Sequence, residues 1–187
     1  MIDSVPPASA EQLISEFRRG EMVLLVLDQS DGGQTGVVTM AAECCEAGHV
    51  TFMARQARGL VSLALTEARC EQLNLPPMAD SATSGAVKLS IEASTGIDTG
   101  ISAADRARTV RVAVAPDAKP SDLVQPGHVF PVATLSGGVL IRTGAAEAGV
   151  DLATLAGLTP AAVFAEVLDT HGELADASAL VAFADAH

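Results

Sequence analysis

Apolar side chains fall at helical spacing over residues 9–19, where Leu13, Ile14 and Phe17 share a face. Ser9 stands at the N-cap position ahead of Gln12, and Gly20 follows the last turn. That pattern predicts a helix. The next stretch, 22–27, is an unbroken apolar run between Gly20 and Asp28, the mark of a strand covered on both faces. Residues 28–36 are polar and glycine-rich and predict a loop. A strand over 37–42 follows, then a helix over 44–58 carrying Val50, Phe52 and Met53 and closed by Gly59. Next come a strand over 60–65 and a short helix over 67–73, stopped by Pro76 and Pro77. In the second half an alternating strand at 87–93 leads through a Gly/Thr/Ser-rich turn at 95–100 to a helix over 102–115. A loop at 116–127, short strands at 129–133 and 139–142, a helix at 147–156 closed by Gly157, a strand at 161–168 and a helix at 176–186 complete the chain. Strands and helices interleave without a strict βαβ rhythm, so the fold class expected is a mixed α/β (α+β) layered domain rather than a doubly wound one. No linker or repeat interrupts it, and 187 residues suit a single domain over 1–187.

Composition narrows the function more than the fold. Hydrophobic residues make up 49% and charged ones 18%, the reverse of a disordered chain. The net charge of −12 argues against nucleic acid or an anionic membrane as partner, since both need basic faces. Five Phe with no Trp or Tyr also supply little for base stacking. No apolar run approaches the roughly 18 residues of a membrane span, and MIDSVPPASAEQL lacks the basic start and apolar centre of a signal peptide. Three cysteines make no disulfide framework, so a cytoplasmic location is expected.

Several stretches invite chemistry and fail on detail. The loop at 28–36 is no Walker A motif, because no Lys or Arg lies between Gly20 and Arg55. As a calcium loop beginning at Asp28 it has Gly32 at the fifth position and Thr39 where a bidentate Glu belongs. Cys44 and Cys45 with His49 suggest a thiol–imidazole pair, but adjacent cysteines cannot share a helical face, which favours small packed side chains. Three other places fare better. His128 stands where a loop enters a strand and suits proton transfer near neutral pH. Arg142 and Thr143, followed by Gly144, make a reasonable grip for an anion. Glu166 interrupts an apolar strand, where a carboxylate needs either a structural partner or a catalytic use.

Longer motifs carry a resemblance. GIDTGISAADR at 96–106, AKPSD at 118–122, PGHVFP at 126–131 and DLATLAG at 151–157 resemble those of 3,4-dihydroxy-2-butanone 4-phosphate synthase, over about residues 11–187. That family converts ribulose 5-phosphate to a four-carbon ketone phosphate and formate in riboflavin biosynthesis. The resemblance implies a three-layer αβα domain, a homodimer with sites shared between subunits, a phosphorylated small-molecule substrate and magnesium as cofactor. It implies His128 and Glu166 as catalytic residues, Arg142 as the start of a phosphate-binding loop, and Thr143, Gly144, Ala145, Ala146 and Asp31 as substrate-binding positions.

The same resemblance marks departures. Where the family carries a metal-binding histidine in that phosphate loop, this chain has Ala145. Its acidic Asp-Arg-Glu-Asn-Glu-Gly-Asp loop reads here from Asp31 through Gly32, Gly33, Gln34, Thr35 and Gly36 to Val37. Loss of carboxylate and imidazole leaves a hard cation little to bind, so no metal site is expected. Three functions stay open. One is a repurposed enzyme performing metal-independent proton transfer or C–C/C–O lyase chemistry on a small phosphorylated substrate. The second is the authentic synthase, with magnesium held by Asp28, Asp31 or Glu147. The third is a catalytically inactive paralogue that only binds ligand. Arg106 joins Arg142 and His128 as a cation that an otherwise acidic chain can turn toward phosphate.

Overall fold

A computed structural model describes residues 7–29, 32–79 and 86–187. Helix α1 (Ala10–Arg19) begins as its capping residues require: Ser9 N–H donates to Gln12 Oε1 at 2.7 Å, and Gln12 N–H to Ser9 Oγ at 3.3 Å. It ends on Gly20, whose φ of 77° belongs to the left-handed region that glycine enters without steric cost. Strands β1 (Val23–Asp28), β2 (Gln34–Ala41), β3 (Ser62–Thr66), β4 (Ile91–Ala93), β5 (Leu123–Thr134) and β6 (Ala161–Glu166) form one sheet in the order β1-β2-β6-β3-β5-β4. Only β3 and β5 run parallel.

Period-two alternation splits the core between the two faces of that sheet. Val38 and Met40 of β2, Leu63 and Leu65 of β3, and Val163 and Ala165 of β6 point to one core. There they meet Val50 of α2 (Ala47–Phe52), Val110 and Ala113 of α4 (Ala103–Val114) and Leu180 of α6 (Ala177–Ala186). Val37, Ala41, Ala64, Ala162 and Phe164 point the other way, to Phe17 of α1 and Val150 and Ala153 of α5 (Ala145–Leu155). Helices on both faces of one sheet make the expected three-layer αβα arrangement. Small residues let α5 lie close: a Cβ on Gly149 would stand 2.7 Å from the Ala162 Cβ.

Four local expectations change. The first strand is not covered on both faces; β1 is an edge paired with β2 alone, and Val26 is 38% exposed. The helix expected over 44–58 is a 3-10 turn (Ala42–Cys44), the short α2 and a π-helix (Met53–Ala57), with Glu46 N–H donating to His49 Nδ1 where α2 starts. Residues 139–142 form no strand, because glycines at positive φ (Gly137 99°, Gly138 58°) turn the chain into a 3-10 helix (Gly138–Leu140) that leaves Leu140 91% exposed. Finally, β5 starts at Leu123, within the expected loop, and runs through the cis Gln125–Pro126 bond. A short α3 (Glu67–Gln72) completes the order.

Candidate active site

His128 owes its position to a slip between two strands. Ile91 of β4 faces Val129 of β5, but the next residue, Glu92, faces Val124, so residues 125–128 have no counterpart on β4. Such a bulge bends its strand and re-aims a side chain. The Gly127 N–H donates to Ser90 Oγ at 3.1 Å, and His128 Nδ1 meets Glu92 Oε1. The imidazole is 43% exposed, whereas the Glu92 side chain is 15% exposed.

Register also sets His128 relative to Glu166. Ser62 of β3 pairs with Phe130 of β5 on one side and Phe164 of β6 on the other, and His128 and Glu166 each lie two residues beyond that row, at the same end of the sheet. Two strand spacings put their backbones about 10 Å apart. Glu166 closes β6 rather than sitting inside it; it is partly exposed, and its carboxylate makes no hydrogen bond or ion pair with the described residues. Its backbone is wedged: it pairs with Val37 of β2 on one side, and on the other a Cβ on Gly59 would come within 2.2 Å of its carbonyl oxygen.

Arg142 is not the free strand-end cation that its motif suggested. Its Nε donates to Glu147 Oε1 at 2.9 Å, and its Nη2 meets the same oxygen and donates to Ala133 O at 3.2 Å. Leu135 N–H donates to that carboxylate at 3.2 Å, and Glu147 is 1% exposed. Nη1 is the nitrogen this tie leaves over. Ala133 lies five residues along β5 from His128, about 16 Å at 3.3 Å per residue. Within one chain, His128 and Glu166 are therefore grouped, and the Arg142 tie stands apart from them.

Thr143 is exposed, Gly144 occupies the N-cap of α5, Ala145 is half-buried and Ala146 is packed into the second core. A Cβ on Gly144 would lie 2.5 Å from Glu147 Oε2, so the absence of a side chain there serves the buried carboxylate. Asp31 lies outside the described residues. On α4, Arg106 Nε is buried without a hydrogen-bond partner. The thiols beside His49 are poor nucleophiles: burial pushes the Cys45 thiol up to about 12 and burial with the Glu43 charge raises that of Cys44, and His49 Nδ1 already accepts a backbone N–H. Burial likewise pushes the Cys70 thiol, in the same core, up to about 11.

The described donors do not fit a divalent cation. No group of three or more His, Cys, Asp or Glu among them is placed to hold one. Asp28 Oδ1 accepts from Gln34 Nε2 at 2.9 Å, Glu147 is committed to Arg142, and neither Ala145 nor Gly33 has a donor side chain. Sequence reasoning did not single out Glu92, and took Glu147 only as one possible magnesium ligand rather than as the buried partner of Arg142. The flanking glycines Gly100, Gly127 and Gly144 were the available signal, since each leaves room for one of those carboxylates.

Comparison with known proteins gives the family. The family model for 3,4-dihydroxy-2-butanone 4-phosphate synthase matches residues 11–187. A protein of that name from Pseudomonas syringae pv. tomato is 52% identical over 95% of this chain and 48% of its own length. One from Pasteurella multocida is 45% identical over 91% of this chain and 81% of its own. This chain thus spans about half the length of the first of these relatives. Among solved structures, the two-domain synthase RibBX from A. baumannii superposes with a TM-score of 0.89 at 46% identity, covering 96% of this chain and 54% of that one. A synthase described in complex with two magnesium ions gives 0.82 at 38% identity, covering 87% and 77%. A family model matching residues 11–187 and 52% identity over 95% of the chain mean that this chain belongs to the 3,4-dihydroxy-2-butanone 4-phosphate synthase family.

Proposed function

We propose that this chain acts as a 3,4-dihydroxy-2-butanone 4-phosphate synthase, taking ribulose 5-phosphate to the four-carbon ketone phosphate and formate. The observation that carries this is its 52% identity, over 95% of its length, to a relative bearing that name. The geometry supports it. His128 and Glu166 lie at the same end of the sheet, two residues beyond the Ser62 row on either side of β3, and supply an imidazole and a carboxylate for proton transfer. His128 serves as the acid/base group and Glu166, whose carboxylate has no competing partner among the described residues, as the second proton carrier. Arg142 Nη1 and the exposed Thr143 contact the phosphate, with Gly144, Ala145, Ala146 and Asp31 shaping that end. The Arg142 tie is distant from His128 within one chain, which favours a site completed by a second copy. Three free thiols suit a reducing, cytoplasmic setting.

One observation favours a second reading. The described donor set does not fit magnesium, and the positions that the family resemblance assigns to metal ligands are Gly33 and Ala145. On that reading the domain performs metal-independent proton transfer on a related sugar phosphate, or only binds it. Incubation with ribulose 5-phosphate and magnesium, with formate measured enzymatically, separates the two. Formate release that falls about 100-fold in His128→Ala supports the synthase. A rise in Tm with ribulose 5-phosphate but no formate, with formate gained only in Gly33→Glu/Ala145→His, supports the second.

A further inference from the structure

We infer that Glu92 is the positioning residue of His128: its carboxylate accepts the Nδ1 proton and so fixes the tautomer that leaves Nε2 bare. The proposal deepens the synthase reading in assigning a use to that nitrogen, but the tautomer itself does not depend on turnover.

Four observations converge on the pair. First, the register slip between β4 and β5 brings these two residues together: Glu92 faces Val124 in the ladder, yet its Oε1 reaches His128 Nδ1. Second, Glu92 is 15% exposed on an acidic chain, and His128 is the partner of its carboxylate among the described residues. A carboxylate so far removed from water needs a donor. Third, its space is kept by two glycines. A Cβ on Gly100, at φ 79°, would fall 1.9 Å from Glu92 Oε1, and one on Gly127 would fall 2.4 Å from its Cγ and 2.2 Å from the Ile91 carbonyl carbon. Fourth, the Gly100 turn is anchored, because Gly100 N–H donates to Asp105 Oδ2 at 3.0 Å. On the strand side, Ala93 N–H donates to Thr109 Oγ1 at 3.0 Å.

A neutral imidazole carries one proton, and the hydrogen bond at one nitrogen decides what the other can do. With Nδ1–H donating to Glu92, Nε2 of this 43% exposed side chain is an acceptor and can take a proton from a substrate carbon or hydroxyl. The imidazolium formed in that step is stabilised by the adjacent carboxylate. Without Glu92, the ring reverts to the Nε2–H form that an unassisted histidine side chain favours.

The test is 15N NMR of imidazole-labelled protein, read at a pH where His128 is neutral and assigned through His128→Gln. The expected spectrum of the unmodified chain shows a protonated Nδ1 and a bare Nε2, and Glu92→Ala exchanges the two signals. Formate turnover, where the synthase reading holds, then falls at least tenfold in kcat with a smaller change in KM. Glu92→Gln keeps the volume and can either accept from or donate to Nδ1, so it shows a mixture with more Nε2–H. It replaces the alanine variant if that does not fold. An Nε2–H ring in the unmodified chain, or spectra unmoved by both substitutions, overturns the proposal. The expected spectra without any formate leave the tautomer proposal standing and remove the synthase reading.

Discussion

Asp105 shows how much one side chain can organise. Its Oδ1 accepts Asp98 N–H at 3.4 Å and its Oδ2 accepts Gly100 N–H at 3.0 Å, while its own N–H donates to Ser102 Oγ at 3.0 Å as α4 begins. Burial alone would raise its titration, but the Ser102 hydroxyl and the N–H groups of Asp98, Gly100 and Thr99 outweigh that and hold the carboxyl below the usual Asp range. The N–H of Glu173 does the same first for Asp169, and the N–H of Ala179 for Asp176. A carboxyl whose folded value is depressed adds stability that is complete above its unfolded value, near 3.9, and is lost as pH falls through the folded one. Asp105→Asn should therefore lower Tm at pH 7, and the gap from the unmodified chain should narrow as the pH falls below about 4. Thermal melts across that range by circular dichroism check both halves.

At the scale of an element, two glycines predict opposite outcomes. The segment after the π-helix lies against the end of β6, where a Cβ on Gly59 would meet the Glu166 backbone at 2.2 Å from O and 2.7 Å from N. Backbone cannot rotate away as a side chain can, so Gly59→Ala should cost about 1–3 kcal/mol. Nothing lies within 4 Å of a Cβ on Gly48 of α2, and Gly48→Ala should stabilise by about 0.5 kcal/mol. Urea midpoints at unchanged m-value would show both shifts. The elements readable in the sequence were those with local causes: the capped α1, the Gly157-closed α5 and the apolar runs of β2, β3 and β6. Those missed depended on distant neighbours. The apolar run of β1 looked buried although its outer side has no partner strand, and Pro126 with Gly127 looked like loop although β3 holds the rest of β5 in the sheet. His128 and Glu166 were legible because their motifs are contiguous. Glu92 was not, since its link to His128 spans 36 residues and arises from register alone.

Taken whole, the chain carries −12 charges yet is expected to hold a phosphate, which requires its few cations to converge locally rather than a basic surface. A second copy would help, and the end of the sheet bearing His128 has the surface for it. Val124, which faces Glu92, is 46% exposed; Ile101, next to Gly100, is 54%; and Leu60 is 55%. Single exposed apolar residues are ordinary, but three flanking one candidate site suit an interface. On the proposed reading of a synthase whose site a second copy completes, Leu60→Asp with Val124→Asp should lower the sedimentation coefficient to that of a monomer and abolish formate production while leaving far-UV circular dichroism unchanged.

The place of β6 has a consequence for how the chain is made. Among the described strands it comes last in sequence, yet it lies between β2 and β3 and pairs with both. Until residues 161–166 leave the ribosome, β1 with β2 and β3 with β5 have no strand to join them, and the inner edges of both remain unpaired. The nascent chain must carry those edges from the emergence of β2 and β3 until β6 is made, a period in which chaperone binding has its greatest value.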